Sequence, residues 1–280
     1  MPPQPEYVAY HFGWRSALIS KLSRALDGIT YTQRHGLIAG MRRRGGLGFL
    51  PAWAVGDTET AELRFFRSLD LSGLVVYDIG AFQGLLTLYF ARTARAVVAF
   101  EPNPESRGRA LENFRLNALS NVRVVAAGCG RTAGTAELHY RPGFAGGASA
   151  DARLSEQILT GADDGMRRVS VEIARLDDLV AREELPAPDF VKIDTEGLEL
   201  AVLEGMPDLL VRARPRLYLE MHGATPEDKA LRVSAIVRFL TDRGYDQIRH
   251  VESGEAIRSE NATLAAEGHL DCCSSRSGSA

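Results

Sequence analysis

Carboxylates recur in this chain where apolar runs give way to glycine or proline turns: Asp78 before Gly80, Glu101 before Pro102, Asp194 and Glu196 before Gly197, and Glu220 before His222 and Gly223. Glu101 follows Asp78 by 23 residues. An acid about 20 residues past a glycine turn is what nucleotide-binding β-α-β units hold against the hydroxyls of a ribose. The turn reads Asp78-Ile79-Gly80-Ala81-Phe82-Gln83-Gly84, and bulky Phe82 stands where a dinucleotide site needs its second glycine. A pyrophosphate fits poorly there. Asp78 would also repel one, while attracting a cationic, amino-acid-bearing ligand. A nicotinamide-dependent dehydrogenase is therefore the weaker reading of this turn.

Proton transfer needs a base within reach of its substrate, and Asp194, Glu196 and His222 are the titratable groups on offer. Histidine has the ordinary pKa best suited to a base at neutral pH. A carboxylate would need desolvation to reach that range, or would act by orienting a hydroxyl. The expectation is that His222 is the base and Asp194 the orienting group, with Glu196 either assisting or capping the helix that follows it. Asp194 and Glu196 could share a divalent cation, but two acids and a histidine distant in the chain do not make a dedicated cage, so no metal is assigned. Cys129 has no histidine near it in sequence and reads as a small apolar filler.

The elements that must position these groups follow from the apolar pattern. Residues 74–77 form a β-branched and aromatic run too short for a helix, which predicts a strand buried on both faces. Leu85, Leu88 and Tyr89 then fall at helical spacing, so a helix N-terminus points back at the glycine turn. Residues 96–100 are the second strand, and Pro102-Asn103-Pro104 stops it and starts a helix near residue 104. Residues 122–127 are a third strand ending at Gly128, the height at which an adenine ring would lie. Strands are also predicted over 135–140, over 168–173 as an edge strand, over 190–194, over 216–220 and near 245–250. Helices are predicted over 59–69, 176–181, 198–213 with a break at Pro207, and 227–243. No strong strand pattern marks 262–272.

Three stretches stand apart. Trp14, Leu18, Leu22, Ala25, Leu26 and Ile29 predict one amphipathic helix in a helical N-terminal extension spanning 1–58, in which Arg42, Arg43 and Arg44 read as a solvated turn. Residues 141–168 are glycine-rich and irregular, and read as a lid over an acceptor. Residues 273–280 read as a frayed, serine-rich tail after a main domain over 59–272.

Composition narrows the function classes. The 280 residues are 45% hydrophobic and 25% charged, which is ordinary for a globular protein. A net charge of −3 supplies no basic surface for nucleic acid. No run is long and apolar enough for a transmembrane segment, and the opening residues carry no signal-peptide pattern. Three cysteines make no even framework, so a reduced, cytoplasmic setting is expected.

The D-x-G-x-x-x-G turn with an acidic second strand end resembles motif I of class I S-adenosylmethionine-dependent methyltransferases. Within them, the chain resembles the FkbM type in VVYDIGAFQGLLTLYFAR, AFEPNPESRGRALENFRLNALSNV, ARLDDL, FVKIDTEGLELAVLEGM and YLEMHG, covering roughly residues 59–250. The resemblance implies an α/β, Rossmann-like fold: a mostly parallel seven-stranded sheet of order 3-2-1-4-5-7-6 with an antiparallel seventh strand and helices on both faces. It implies S-adenosyl-L-methionine as cofactor, bound by Asp78, Gly80, Ala81, Phe82, Gly84, Glu101, Pro102, Asn103, Gly128 and Asp194. It also implies O-methylation of a small-molecule or glycolipid hydroxyl acceptor, namely a sugar, a glycolipid or a polyketide-type natural product. The alternative is a non-catalytic protein that binds the same cofactor. The oligomeric state is unknown from sequence.

Overall fold

Thr30–Thr32 (β1) and Arg42–Arg44 (β2) pair antiparallel as a short hairpin at the start of the computed structural model, which describes residues 28–44, 59–140, 167–223 and 225–275. Three consecutive arginines were expected to form a solvated turn, and the structure corrects this. The backbone of Arg42 exchanges hydrogen bonds with the Asn117 side chain (2.8 and 2.6 Å), and Arg44 N donates to Asn113 Oδ1 (2.9 Å). The strand thus finds partners on both edges, and Arg44 pairs with Glu112 at 3.2 Å. The amphipathic helix predicted from Trp14 onward lies outside the described residues, apart from Ile29, which precedes β1 and is not helical. What is described of the extension is a β-hairpin.

Helix α1 (Ala61–Ser68) starts where the Thr60 side chain accepts from Leu63 N and turns Phe66 inward. Strand β3 (Val75–Ile79) follows, buried along its whole length. Next come α2 (Leu85–Phe90), β4 (Ala96–Phe100), α3 (Pro104–Leu116) and β5 (Val122–Val125). Pro104 occupies the first turn of α3, where a missing N–H costs nothing, and Asn103 caps it by accepting from Glu105 N.

Strands β6 (Gly128–Cys129), β7 (Gly134–Tyr140) and β8 (Arg167–Ala174) make a separate small sheet of order β6-β8-β7. The 168–173 strand, expected at an edge, is therefore central, paired parallel to β6 and antiparallel to β7. The predicted lid over 141–168 lies outside the described residues except for its last two.

The chain then runs α4 (Leu176–Arg182), β9 (Phe190–Ile193), α5 (Glu199–Glu204), α6 (Pro207–Arg212), β10 (Arg216–Glu220), α7 (Pro226–Thr241), β11 (Gln247–His250) and β12 (His269–Cys273). The main sheet has seven strands in the order β11-β12-β10-β9-β3-β4-β5. Numbered by entry into that sheet, this is 3-2-1-4-5-7-6, with β12 antiparallel to both neighbours. Alternation along the strands builds two cores. Val75, Tyr77 and Ile79 face one containing Leu179 of α4, Val202 of α5, Leu209 of α6 and Ile236 of α7, while Val76 faces one containing Phe66 of α1 and Phe90 of α2.

The last strand is a second correction. His269–Cys273 alternates half-buried and buried residues, with Leu270 and Cys272 as the inward pair. Its polar look comes from Asp271, which takes both Arg216 Nε and Nη2, at 2.7 and 2.9 Å, across the strand pair. The expected frayed tail starts too early as well. Cys273 is in the sheet, Ser274 is buried, and Ser275 N donates to Asp246 at 2.8 Å. Among the described residues no helix is long and apolar enough to cross a membrane.

Candidate active site

Parallel strands β3, β4 and β9 all end at one edge of the sheet, which places their terminal carboxylates and turns together. The β3–α2 turn packs against the end of β9 so closely that a Cβ on Gly80 would sit 1.8 Å from the carbonyl oxygen of Asp194. Gly80 also has φ +77°, a conformation that costs other residues. Gly84, at φ +75°, lets α2 approach α3, since a Cβ there would meet the Phe114 ring at 2.5 Å. Between them Phe82 takes φ +50° without being glycine, and at the opposite wall Glu196 takes φ +52°. Backbone held in that region by non-glycine residues concentrates at functional sites.

A cleft opens here, lined by Gly80, Phe82, Glu101, Gly128, Asp194 and Glu196, with Leu138, Val171 and Ile173 of the small sheet forming an apolar wall. Glu101 is the acid at the end of β4. Its Oε2 accepts from Phe82 N and its Oε1 from Asn103 N, both at 2.7 Å. A carboxylate has about four lone-pair sites, so two remain after these bonds. Burial raises its pKa to about 7, against the lowering effect of the two N–H donors and of Lys192.

Lys192, fully inside the sheet, links three elements. Its ammonium lies 3.0 Å from Asp194 and 3.3 Å from Asp78, and donates to the carbonyl of Gly80 at 3.0 Å. Burial opposes its charge, but Asp194 and Asp78 outweigh that and hold its pKa above the ordinary lysine value. Asp78, completely buried, accepts from Thr87 Oγ1 at 2.5 Å through its other oxygen. Asp78 was expected to attract a ligand directly. The structure instead gives its charge to Lys192, and it does not line the cleft.

At the ends of β9 and β10 four carboxylates surround one imidazole. His222 Nδ1 is 3.0 Å from Glu199 Oε1, and the same oxygen accepts from Gly197 N at 2.9 Å. His222 Nε2 faces Glu196 and Glu220, each at 3.6 Å, and Asp194 at 3.9 Å. Burial lowers the imidazole's pKa, but the Glu199 hydrogen bond and the charges of Glu199, Glu196 and Glu220 outweigh it and raise it to about 9. Burial and Asp194 push Glu220 up to about 7, and burial also raises Glu196. Asp194 stays below its ordinary value, because Lys192 and His222 outweigh its burial.

This surrounding weighs against His222 as the base, because the carboxylates around the ring favour its protonated form over the free imidazole that would accept a proton. The helix after Glu196 has Leu198 at its N-cap with no side-chain cap hydrogen bond, Glu199 accepts from Thr195 N and Gly197 N in the loop before it at 3.4 and 2.9 Å, and Glu196 lines the cleft. Of the residues expected to bind a cofactor, Gly80, Phe82, Glu101, Pro102, Gly128 and Asp194 line the cleft, whereas Asp78, Ala81, Gly84 and Asn103 stand behind it. Their backbones shape the turn: Gly80 N and Ala81 N both donate to Phe100 O at 3.1 Å. Two residues the sequence reading passed over matter most for the electrostatics. Lys192, a cation inside a predicted buried strand, was a signal that could have been followed; Glu199 looked like any acid in a helix's first turn.

Residues 78–246 match the sequence model of the Methyltransferase FkbM domain. The chain is 33% identical over 201 residues to "Methyltransferase sdnD" of Sordaria araneosa, covering 62% of this chain and 74% of that protein. It is 30% identical over 155 residues to "Hexuronic acid methyltransferase AglP" of Haloferax volcanii, covering 55% of this chain and 59% of that one. Among solved structures, that of a methyltransferase FkbM from Methylobacillus flagellatus aligns at 18% identity with a TM-score of 0.47, over 79% of this chain and 50% of that chain. The chain thus spans half the length of that protein.

Proposed function

This chain belongs to the FkbM methyltransferase family, and from that premise we propose that it uses S-adenosyl-L-methionine to methylate a hydroxyl of a sugar, glycolipid or polyketide-type natural product. The observation that carries the cofactor is Glu101, a buried carboxylate in the cleft with two acceptor sites left for two ribose hydroxyls. Leu138, Val171 and Ile173 offer an apolar wall of the kind an adenine ring packs against. When bound, the cofactor would supply an electrophilic methyl carbon whose bond to sulfur breaks, its electron pair going to sulfur, as the acceptor oxygen bonds to that carbon. The chain's own residues then have two tasks. Asp194, kept ionised by Lys192, orients the acceptor hydroxyl by accepting its hydrogen bond. Glu196, on the cleft wall, is the carboxylate in position to take the hydroxyl proton as the oxygen is alkylated.

The sugar-type acceptor is supported by the relative named as a hexuronic acid methyltransferase. Three free cysteines, two of them buried, favour a reducing, cytoplasmic setting, and the charge balance favours a small molecule over nucleic acid.

Calorimetry tests the cofactor site. Hydrogen bonds to a charged acceptor contribute about 1.5–3 kcal/mol each, so Glu101→Ala should weaken S-adenosylmethionine binding by on the order of a hundredfold. Unchanged affinity removes the assignment. Incubation with methyl-labelled donor and a pool of hydroxylated sugars and natural products then tests the reaction, and label found only in unreacted donor argues for a binding protein.

A further inference from the structure

We propose that Asp194, Glu220 and His222 bind a divalent metal cation at the edge of the cleft, and that this cation holds the acceptor's oxygen. The proposal rests on the O-methylation reading for the second part only. One ligand atom from each of the three side chains can be chosen so that all lie within 4.8 Å of one another. Ligands at about 2.0–2.2 Å from a shared ion stand about 3–4.4 Å apart. The Nε2 atom of His222 is 3.6 Å from Glu220 and 3.9 Å from Asp194, so the imidazole already stands at ligand spacing from both carboxylates.

Clustered carboxylates alone would be no argument; the histidine supplies the independent one. The His222 side chain is 9% exposed, and its Nε2 makes no hydrogen bond to any described residue, because 3.6 Å is beyond hydrogen-bond reach. The ring nitrogen faces three carboxylates at ion-pair distance, 3.6–3.9 Å, with none at hydrogen-bond distance, a spacing that suits a cation between them. Its other nitrogen, Nδ1, is held by Glu199, itself only 2% exposed and anchored by Gly197 N. With Nδ1 held by the Glu199 carboxylate, loss of the Nε2 proton leaves that nitrogen's lone pair facing the carboxylates, which is how metal-ligating histidines are oriented. A bound cation takes the place of the ring proton.

The surrounding charges point the same way. The groups facing Nε2 are Asp194, Glu196 and Glu220, with Glu199 behind the ring. Lys192 is the ammonium beside them, and it is shared with Asp78. His269 approaches Glu220 at 3.9 Å but is engaged by Glu252 at 2.5 Å. Two carboxylates and one imidazole suit Mn²⁺, Fe²⁺ or Zn²⁺ better than an all-oxygen cation such as Ca²⁺. Asp194, which lines the cleft, and Glu220 remain 28% and 31% exposed, which leaves room at the ion for water or an acceptor oxygen.

The test uses the full chain, stripped with chelator and titrated with Mn²⁺ alone, read by calorimetry and by loss of the free Mn²⁺ electron-spin-resonance signal. One saturable site is expected. Glu220→Gln and His222→Ala should each weaken it at least tenfold, while Glu183→Gln, on the far surface, should not move it. Circular dichroism and the unfolding midpoint report whether each variant is folded, and Glu220→Gln, which keeps side-chain shape, serves if His222→Ala is not. In the acceptor assay, removing the cation should raise the acceptor KM at least tenfold while leaving the affinity for S-adenosylmethionine unchanged. The absence of a saturable site for Mn²⁺ and Zn²⁺ up to millimolar concentration overturns the proposal, as does a site that folded Glu220→Gln leaves untouched. Because the titration contains neither donor nor acceptor, a failure of methyl transfer would bring down the proposed function while the cation site stood or fell separately.

Discussion

Lys192 Nζ lies 3.0 Å from the carboxylate of Asp194, its neighbour two residues along the same chain segment, and the same ammonium reaches Asp78 on the adjacent strand at 3.3 Å. One cation thus neutralises two acids at the centre of the sheet, where Asp78 has no solvent exposure at all. Removing one partner of a buried pair costs about 3–5 kcal/mol, because it leaves the other charge uncompensated. Lys192→Met should therefore lower stability by about that amount, read as a lower urea midpoint at unchanged slope. Adding Asp78→Asn should recover part of the loss. If the double variant is no more stable than Lys192→Met, the cost lies in packing rather than charge.

The contact between Gly80 and Asp194 makes a second test. A Cβ at Gly80 would stand 1.8 Å from the Asp194 carbonyl oxygen, and that is backbone, which cannot swing aside like a side chain. The residue's φ of +77° adds about 1–2 kcal/mol for any residue with a Cβ. Gly80→Ala should accordingly part the turn from the end of β9, destabilise the protein by about 2–4 kcal/mol and weaken S-adenosylmethionine binding at least tenfold. Gly254 has φ +74°, and a Cβ added there would meet nothing within 4 Å, so Gly254→Ala isolates the conformational cost. Equal losses in both variants would show that the close approach at Gly80 contributes nothing.

The contrast between these two relationships shows what sequence could and could not convey. The strands themselves were legible because apolar runs at Val75–Ile79, Ala96–Phe100 and Phe190–Ile193 are broken by glycine and proline where Asp78, Glu101 and Asp194 sit, whereas their order in the sheet came only from the family resemblance. The last strand was not legible, because Asp271 looks polar until Arg216 is placed across from it. Arg42–Arg44 failed for the same reason: its edge partners are Asn113 and Asn117, about 70 residues away in the chain. At the site, the positions of Glu101 and Asp194 followed from strand ends, but the surroundings of His222 did not. A histidine's ordinary pKa says nothing about three facing carboxylates and a fourth, Glu199, behind the ring, and only the fold brings them within 4 Å.

The final prediction concerns pH and rests on Glu101. Burial raises its pKa from an ordinary 4.5 to about 7 in the folded chain. Between those values the folded state keeps a proton that the unfolded chain has released. Stability must therefore fall as pH rises from about 4.5 to 7 and level off above it, by about 3 kcal/mol in all from this residue at about 1.4 kcal/mol per pKa unit. The fuller contribution is present below pH 4.5 and is lost as the folded carboxyl ionises. Ribose hydroxyls donate hydrogen bonds, so S-adenosylmethionine should favour the ionised form, and its binding should pull the Glu101 pKa back down. Apparent affinity is then reduced by the fraction still protonated, about tenfold weaker at pH 6 than at pH 8. Glu101→Gln carries no titrating group there. It should bind the cofactor more weakly at pH 8 and show a flat profile between pH 6 and 8, and it should also lose its share of the stability slope between pH 5 and 7. Calorimetry of both proteins across this range, in buffers of different ionisation enthalpy, measures the affinity and the protons released on binding together. A variant that keeps the wild-type pH slope would mean that another group titrates with cofactor binding and that Glu101 does not face the ribose.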